Sequence, residues 1–171
     1  LIPAAKQNYR NPTGVAVVRR ATEGAGITAD TPVPYRMADV LKLTGDAQAG
    51  ATKGTACLSC HRVGDTGVDY APNLTGWAKR QTTEVLLNSI INPGADIASG
   101  YNGTEIILKD GTEVHGVLLS GGDPTIVASA GGVTQMIPRD RIKSRNNLNR
   151  SLMLSADQQG LSPQDVADIA A

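Results

Sequence analysis

Both cysteines of the chain fall in one tetrapeptide, Cys57-Leu58-Ser59-Cys60, and His61 follows at once. Two thiols three positions apart at a helix end can add to the two vinyl groups of a porphyrin, and the next residue's imidazole then meets the iron from one face. Attachment points, ring orientation and proximal ligand would all come from one pentapeptide. Two other chemistries use similar spacing. Zinc wants about four N or S ligands, and beyond these three the sequence offers only His115, far along the chain. A Cys-x-x-Cys redox pair wants the start of a helix after a strand, where the helix N-terminus lowers the thiol pKa. No strand pattern precedes Cys57. With no further cysteine, a long-range disulfide is excluded.

The composition fits a bulky prosthetic group. There is no Phe, one Trp and four Tyr, so something else must fill the middle of a core, and a porphyrin would. Sixteen basic residues balance sixteen acidic ones, for a net charge of zero, without the basic excess of nucleic-acid binders. Nucleic acid is not an expected partner. No stretch approaches the roughly 20 apolar residues that cross a bilayer, so the chain is not expected to span a membrane. The start, Leu1-Ile2-Pro3-Ala4-Ala5-Lys6, has neither an initiator Met nor a signal-peptide pattern, and is read as processed or cut from something larger.

Residues 1 to about 40 are irregular, with Pro3, Pro12, Pro32 and Pro34, and are read as a linker or wrapped extension with one short helix or strand around Val15 to Arg20. From Asp46 to Ala56 the residues suit a helix capped by Asp46, with the cysteines at its C-terminal end. Thr83 to Asn92 carries Leu86, Leu87, Ile90 and Ile91 at helical spacing, and Asn92-Pro93-Gly94 ends it. Between Tyr101 and Ile142 the period changes to two. Asp110-Gly111 lies between two β-prone runs, a strong hairpin signal, so this region predicts an antiparallel sheet of three to five strands. The last element has the clearest start: Ser162 as N-cap, Pro163 first in the helix, Asp165 as reciprocal cap, Leu161 and Val166 as a staple. Its expected buried face is Val166, Ile169 and Ala170.

A sixth iron ligand must come from elsewhere, and Met is the usual partner of His in electron transfer. Three methionines compete. Met37 lies before the haem motif. Met136 sits in a strand-like run, where core packing is the default. Met153, in a loop just before the capped helix, has the position expected of the ligand. His115 is expected to be a surface strand histidine. The basic run Arg139, Arg141, Lys143, Arg145 and Arg150 either steers an acidic partner or forms an ordinary solvated strand edge.

Taken together, these residues resemble the class I c-type cytochromes, and in detail the planctomycete/verrucomicrobial-type haem-binding domain. The matching segments are Gly45-Asp46 and Gly50 leading to Cys57-Leu58-Ser59-Cys60-His61-Arg62-Val63, Ala71-Pro72-Asn73-Leu74-Thr75-Gly76, and Leu86 to Pro93 running to Gly100-Tyr101. They continue with Lys109-Asp110-Gly111-Thr112, Ile137-Pro138-Arg139, and Ser151-Leu152-Met153 before Leu161-Ser162. The likeness covers about residues 44–171. It departs at Lys53, where the family has an aromatic residue, at Ala71, where it has Gly, and at Leu154, where it has Pro.

The resemblance implies a mainly α cytochrome c fold with an inserted small antiparallel β-sheet or barrel, α+β overall. Residues 1–43 would be an extension and 44–171 the cytochrome domain, with the insert at about 101–143. It implies one covalent haem c on Cys57 and Cys60, with His61 and Met153 as iron ligands. The Pro72 carbonyl would accept from His61 Nδ1, Leu74 would pack on the haem, and Trp77 and Arg80 would meet the propionates. The expected function is electron transfer without a catalytic site of its own, between a dehydrogenase donor, separate or fused, and a cytochrome or oxidase acceptor. The competing reading is a haem enzyme with an open sixth position, a peroxidase or gas binder. Covalent haem attachment implies a periplasmic or otherwise exported protein.

Overall fold

The computed structural model describes residues 35–171; the element expected around residues 15–20 lies outside the described residues. The described chain divides into two compact units, one of residues 35–97 with Met153–Ala171, the other Ala98–Leu152.

The first unit holds four short α-helices: α1 (Met37–Val40), α2 (Ala47–Lys53), α3 (Thr83–Ile91) and α4 (Pro163–Ala170). Local chemistry fixes their ends. The Asp46 carboxylate accepts from the amides of Gln48 at 2.8 Å and Ala49 at 3.2 Å, satisfying donors that α2 cannot satisfy itself. Thr82 does the same for α3 through the Val85 amide. The capping box of α4 forms as the sequence predicts, with Ser162 and Asp165 bonding reciprocally. Val40, Leu87, Ile91, Ala156, Val166 and Ala167 form the apolar core, with Tyr35, Met37, Ile90, Leu161 and Ala170 packed against it. Residues 35–43, expected within the extension, thus contribute α1 and the buried Val40.

Two glycines let α2 and its N-terminal approach lie directly on α4. A Cβ on Gly45 would meet the Ala167 carbonyl oxygen, and one on Gly50 the Asp168 carbonyl oxygen. Of the buried face expected for α4, Val166 is fully buried and Ala170 packs half-buried against the core, while Ile169 is half-buried; the close backbone contact adds Ala167 and Asp168, covering the middle of the helix. The Asp168 carboxylate accepts from the Asp46 amide at 2.9 Å and from Gln164 Nε2 at 2.8 Å. Lys53 reaches the capping carboxylate of Asp165 at 2.9 Å. The position where the resembled family has an aromatic residue therefore holds a tie between α2 and α4.

The second unit is one antiparallel sheet of β3 (Gly103–Leu108), β4 (Glu113–Ser120), β5 (Thr125–Ser129), β6 (Val133–Ile137) and β7 (Ile142–Asn147), in the order β6-β5-β4-β3-β7. The helical unit adds a short antiparallel ribbon of β1 (Arg62–Val63) and β2 (Thr66–Gly67). Asp110-Gly111 makes the β3–β4 turn as predicted: the Asp110 carboxylate accepts from the Thr112 amide at 2.9 Å, and Gly111 has a φ of 84°, which glycine adopts without steric cost. Ile106, Leu108, Val114, Val127 and Ile137 cover one face as an apolar core.

The expectation of a mainly α cytochrome c fold is overturned. Five strands form a complete sheet, while the described helices run only four to nine residues, so the chain is α+β. The helices stay short for local reasons: Asn92-Pro93 ends α3, and the turn from Gly54 to Ser59 tightens to a 3-10 helix.

Candidate haem-binding site

Cys57 lies on that 3-10 helix and Cys60 is its C-cap, with the Cys60 amide bonded to the Cys57 carbonyl at 3.1 Å. The two cysteines thus stand three positions apart at the end of one tight turn, with Cys60 leaving the 3-10 geometry at a φ of -129°. The His61 amide also bonds to the Cys57 carbonyl, at 2.8 Å, which ties the imidazole to the same turn. Burial pushes the Cys57 thiol above its ordinary pKa. That is opposite to what a helix N-terminus does for a reactive thiolate, and among the described residues no strand precedes the pair.

The following loop is built around His61 and Cys60. The Cys60 carbonyl accepts from the amides of Tyr70 at 3.2 Å and Ala71 at 2.8 Å, the His61 carbonyl from Val68 at 3.2 Å, and the Arg62 carbonyl from Leu74 at 2.9 Å. Gly67, with a φ of 100°, passes so close that a Cβ there would meet the His61 carbonyl oxygen. Arg62 pairs with Asp69 at 2.7 Å, and Tyr70 is buried.

This loop delivers the Pro72 carbonyl oxygen to 2.7 Å from His61 Nδ1. A carbonyl only accepts, so Nδ1 carries the proton and, in the neutral ring, Nε2 keeps its lone pair. A metal-ligating histidine commonly has this arrangement, with one nitrogen fixed by a carbonyl and the other offered to the ion. The residues present therefore fit a covalently held haem: two thiols three positions apart at the end of one turn, and an imidazole whose tautomer and orientation are set.

Leu74 and Trp77 are half-buried on the same loop, and the Trp77 amide bonds to the Leu74 carbonyl at 3.0 Å. Arg80 is exposed, its guanidinium lying over Gly76. Met153 is half-buried and is the first residue of the segment that returns to the unit containing His61. The loop after it is closed by short polar bonds: Ser155 Oγ to Asp157 at 2.6 Å, Gln159 Nε2 to the Leu154 carbonyl at 2.6 Å, and the Ser155 amide to Gln158 Oε1 at 2.9 Å. The Tyr35 hydroxyl donates to the Leu161 carbonyl at 3.0 Å. These bonds fix the segment between Leu154 and α4 without the family's proline.

The other methionines lie elsewhere. Met37 packs against the core beside Val40. Met136 is not a core residue as the default reading had it: it stands 46% exposed on the outer strand β6. The phase of that strand is set by Ile137 and by Gln135, which points inward and donates to Ser129 Oγ at 2.8 Å.

His115 corrects a second expectation. It is 7% exposed, not a surface strand histidine. It stands opposite Glu105 in the β3–β4 register, and its Nε2 is 3.2 Å from Glu105 Oε1. In the basic run, Arg141 is held by Asp110 at 2.8 Å and Arg145 lies near the Gly121 carbonyl. None of the described helices is long and apolar enough to cross a membrane. No protein-family model and no curated protein matches the chain.

Proposed function

We propose that the chain is a mono-haem c-type electron carrier, with haem bonded through Cys57 and Cys60, His61 as proximal ligand and Met153 as distal ligand. The observation that carries this reading is the 2.7 Å contact between His61 Nδ1 and the Pro72 carbonyl, beside two cysteines three positions apart at the end of a 3-10 helix. When bound, the haem supplies a one-electron iron couple. The chain's own residues do the rest: the thiols hold the ring in one orientation, the Pro72 carbonyl raises the basicity of His61 and stops it rotating, and the thioether of Met153 favours the reduced iron relative to a second imidazole.

Met153 is preferred because Met37 is taken up in core packing and Met136 belongs to the outer strand of the other compact unit. His61 and Met153 would together hold the haem iron and leave it no site for substrate, which is the arrangement of a carrier rather than an enzyme. Its partners are a dehydrogenase donor, separate or fused, and a cytochrome or oxidase acceptor. Its compartment is the periplasm or another exported location, where covalent haem attachment is completed.

The test is the absorption spectrum of the haem-loaded chain with and without carbon monoxide. The wild-type reduced spectrum should not change, and the weak sulfur-to-iron band should be present in the oxidised form. Met153→Ala should lose that band and bind carbon monoxide, whereas Met136→Leu should behave as wild type. Carbon monoxide binding by the wild type would favour an open-site haem enzyme, and a band retained in Met153→Ala would remove Met153 from the ligand set.

A further inference from the structure

The face of the sheet opposite the Ile106–Val114–Ile137 core carries a cluster that electron transfer does not use. Glu105 on β3 stands directly across from His115 on β4, and Glu113 lies two residues before His115 on the same side of the strand. One carboxylate oxygen from each glutamate and one imidazole nitrogen of His115 lie within 4.8 Å of one another. Asn146, facing Glu105 from β7, has its Nδ2 3.4 Å from the second Glu105 oxygen. Three neighbouring strands thus converge on one small volume.

Two glutamates beside a histidine do not by themselves make a site. The state of His115 argues for one. Its side chain is 93% buried, its Nε2 points at Glu105, and its Nδ1 is buried with no hydrogen-bond partner. Buried ring nitrogens in a purely structural histidine are almost always satisfied. Here the imidazole's one polar side-chain contact is to a member of the cluster, and its bonding capacity exceeds what that contact uses.

We propose that Glu105, Glu113 and His115 form a binding site for a single divalent transition-metal ion of the zinc type. Two carboxylates neutralise a dipositive ion, and imidazole with carboxylate oxygen is a donor set for zinc and its neighbours rather than for magnesium or calcium. Three protein ligands leave a fourth position for water. The ion bridges β3 to β4, and Asn146 orients Glu105 from the outer shell, as such partners do. The site is independent of the haem reading, because all of its residues lie in the Ala98–Leu152 unit.

The test is calorimetric titration of the chelator-dialysed full chain with Zn2+, with metal analysis of the product. One ion per chain is expected, bound about 10-fold or more weakly in Glu113→Gln and unchanged in Cys57→Ser/Cys60→Ser, which removes the competing thiols. No binding, binding that survives Glu113→Gln, or binding lost with the cysteines would overturn the proposal. Should Glu113→Gln fail to fold, the Cys57→Ser/Cys60→Ser chain decides: Zn2+ must raise its thermal midpoint where equal Mg2+ does not, and an unshifted midpoint refutes the site.

Discussion

Gly50 sits inside α2, where helix propensity alone says that alanine should be the better residue. Replacing Gly by Ala in a helix interior gains about 1 kcal/mol. The structure predicts the opposite sign. A Cβ at Gly50 would land on the Asp168 carbonyl oxygen, with the Ile169 amide nitrogen 2.9 Å away. Both are backbone atoms of α4 and cannot rotate aside, so the two helices must separate. Overpacking of this kind costs about 1–3 kcal/mol, and the upper end applies because separation also stretches the bond from the Asp46 amide to Asp168 and uncovers Val166 and Ala167. Setting about 3 kcal/mol against about 1 leaves Gly50→Ala destabilised by about 2 kcal/mol. For a unit of this size that is a fall of about 8–16 °C in Tm, readable by circular dichroism. Gly54→Ala is the control: it ends the same helix, has ordinary φ, and a Cβ there meets nothing within 4 Å, so its Tm should hold or rise slightly. An unchanged or higher Tm for Gly50→Ala would refute the close helix contact.

Two further outcomes follow from local chemistry. Asp165 is held at a pKa of about 2, first by the Ser162 amide and then by Lys53, and Asp39 at about 2 by Arg36 and then Lys42. Since the folded values lie below the ordinary 3.8, the stabilisation these carboxylates give is present above pH ~4 and lost as the pH falls towards 2. Thermal midpoints should drop across that window, and Asp165→Asn should flatten part of the slope; an identical slope would contradict the capping role. Gly67→Ala, at a φ of 100° and against the His61 carbonyl, should cost about 1–3 kcal/mol and lower the yield of haem-loaded protein, whereas Gly64→Ala, at a φ of 57° within the left-handed region and with nothing for a Cβ to meet, should retain the yield. Equal yields from the two variants would show that the loop does not depend on the close pass at Gly67.

The legible parts of the sequence were those written in neighbouring residues. Asp46, Thr83 to Asn92, the Ser162–Asp165 box and Asp110-Gly111 each announce an element through contacts within a few positions, and each stands where those residues place it. The Pro72 contact to His61 came from resemblance rather than from spacing, and the geometry supplies its reason in the loop bonds from Cys60 and Arg62. What was not legible depends on register or on partners far along the chain. Helix α1 is four residues long, too short to display a period. The pairing of His115 with Glu105 comes from the register across the hairpin, and the outward turn of Met136 from the phase that Ile137 imposes. The burial of Ala167 and Asp168 on α4 was not legible because the glycines that draw α2 onto them lie more than 100 residues earlier. The α-rich expectation failed because resemblance weighted the haem loop over the five period-two runs that make up the other unit.

The most direct test of the central claim is whether haem is bonded to the chain. The full chain is expressed with a covalent haem-maturation system, denatured, and extracted with acidified acetone. Attachment through Cys57 and Cys60 predicts that one haem per chain stays with the protein, that no free thiol can be titrated, and that Cys57→Ser/Cys60→Ser retains no haem. Haem passing into the acetone, or two titratable thiols in the coloured protein, would contradict it.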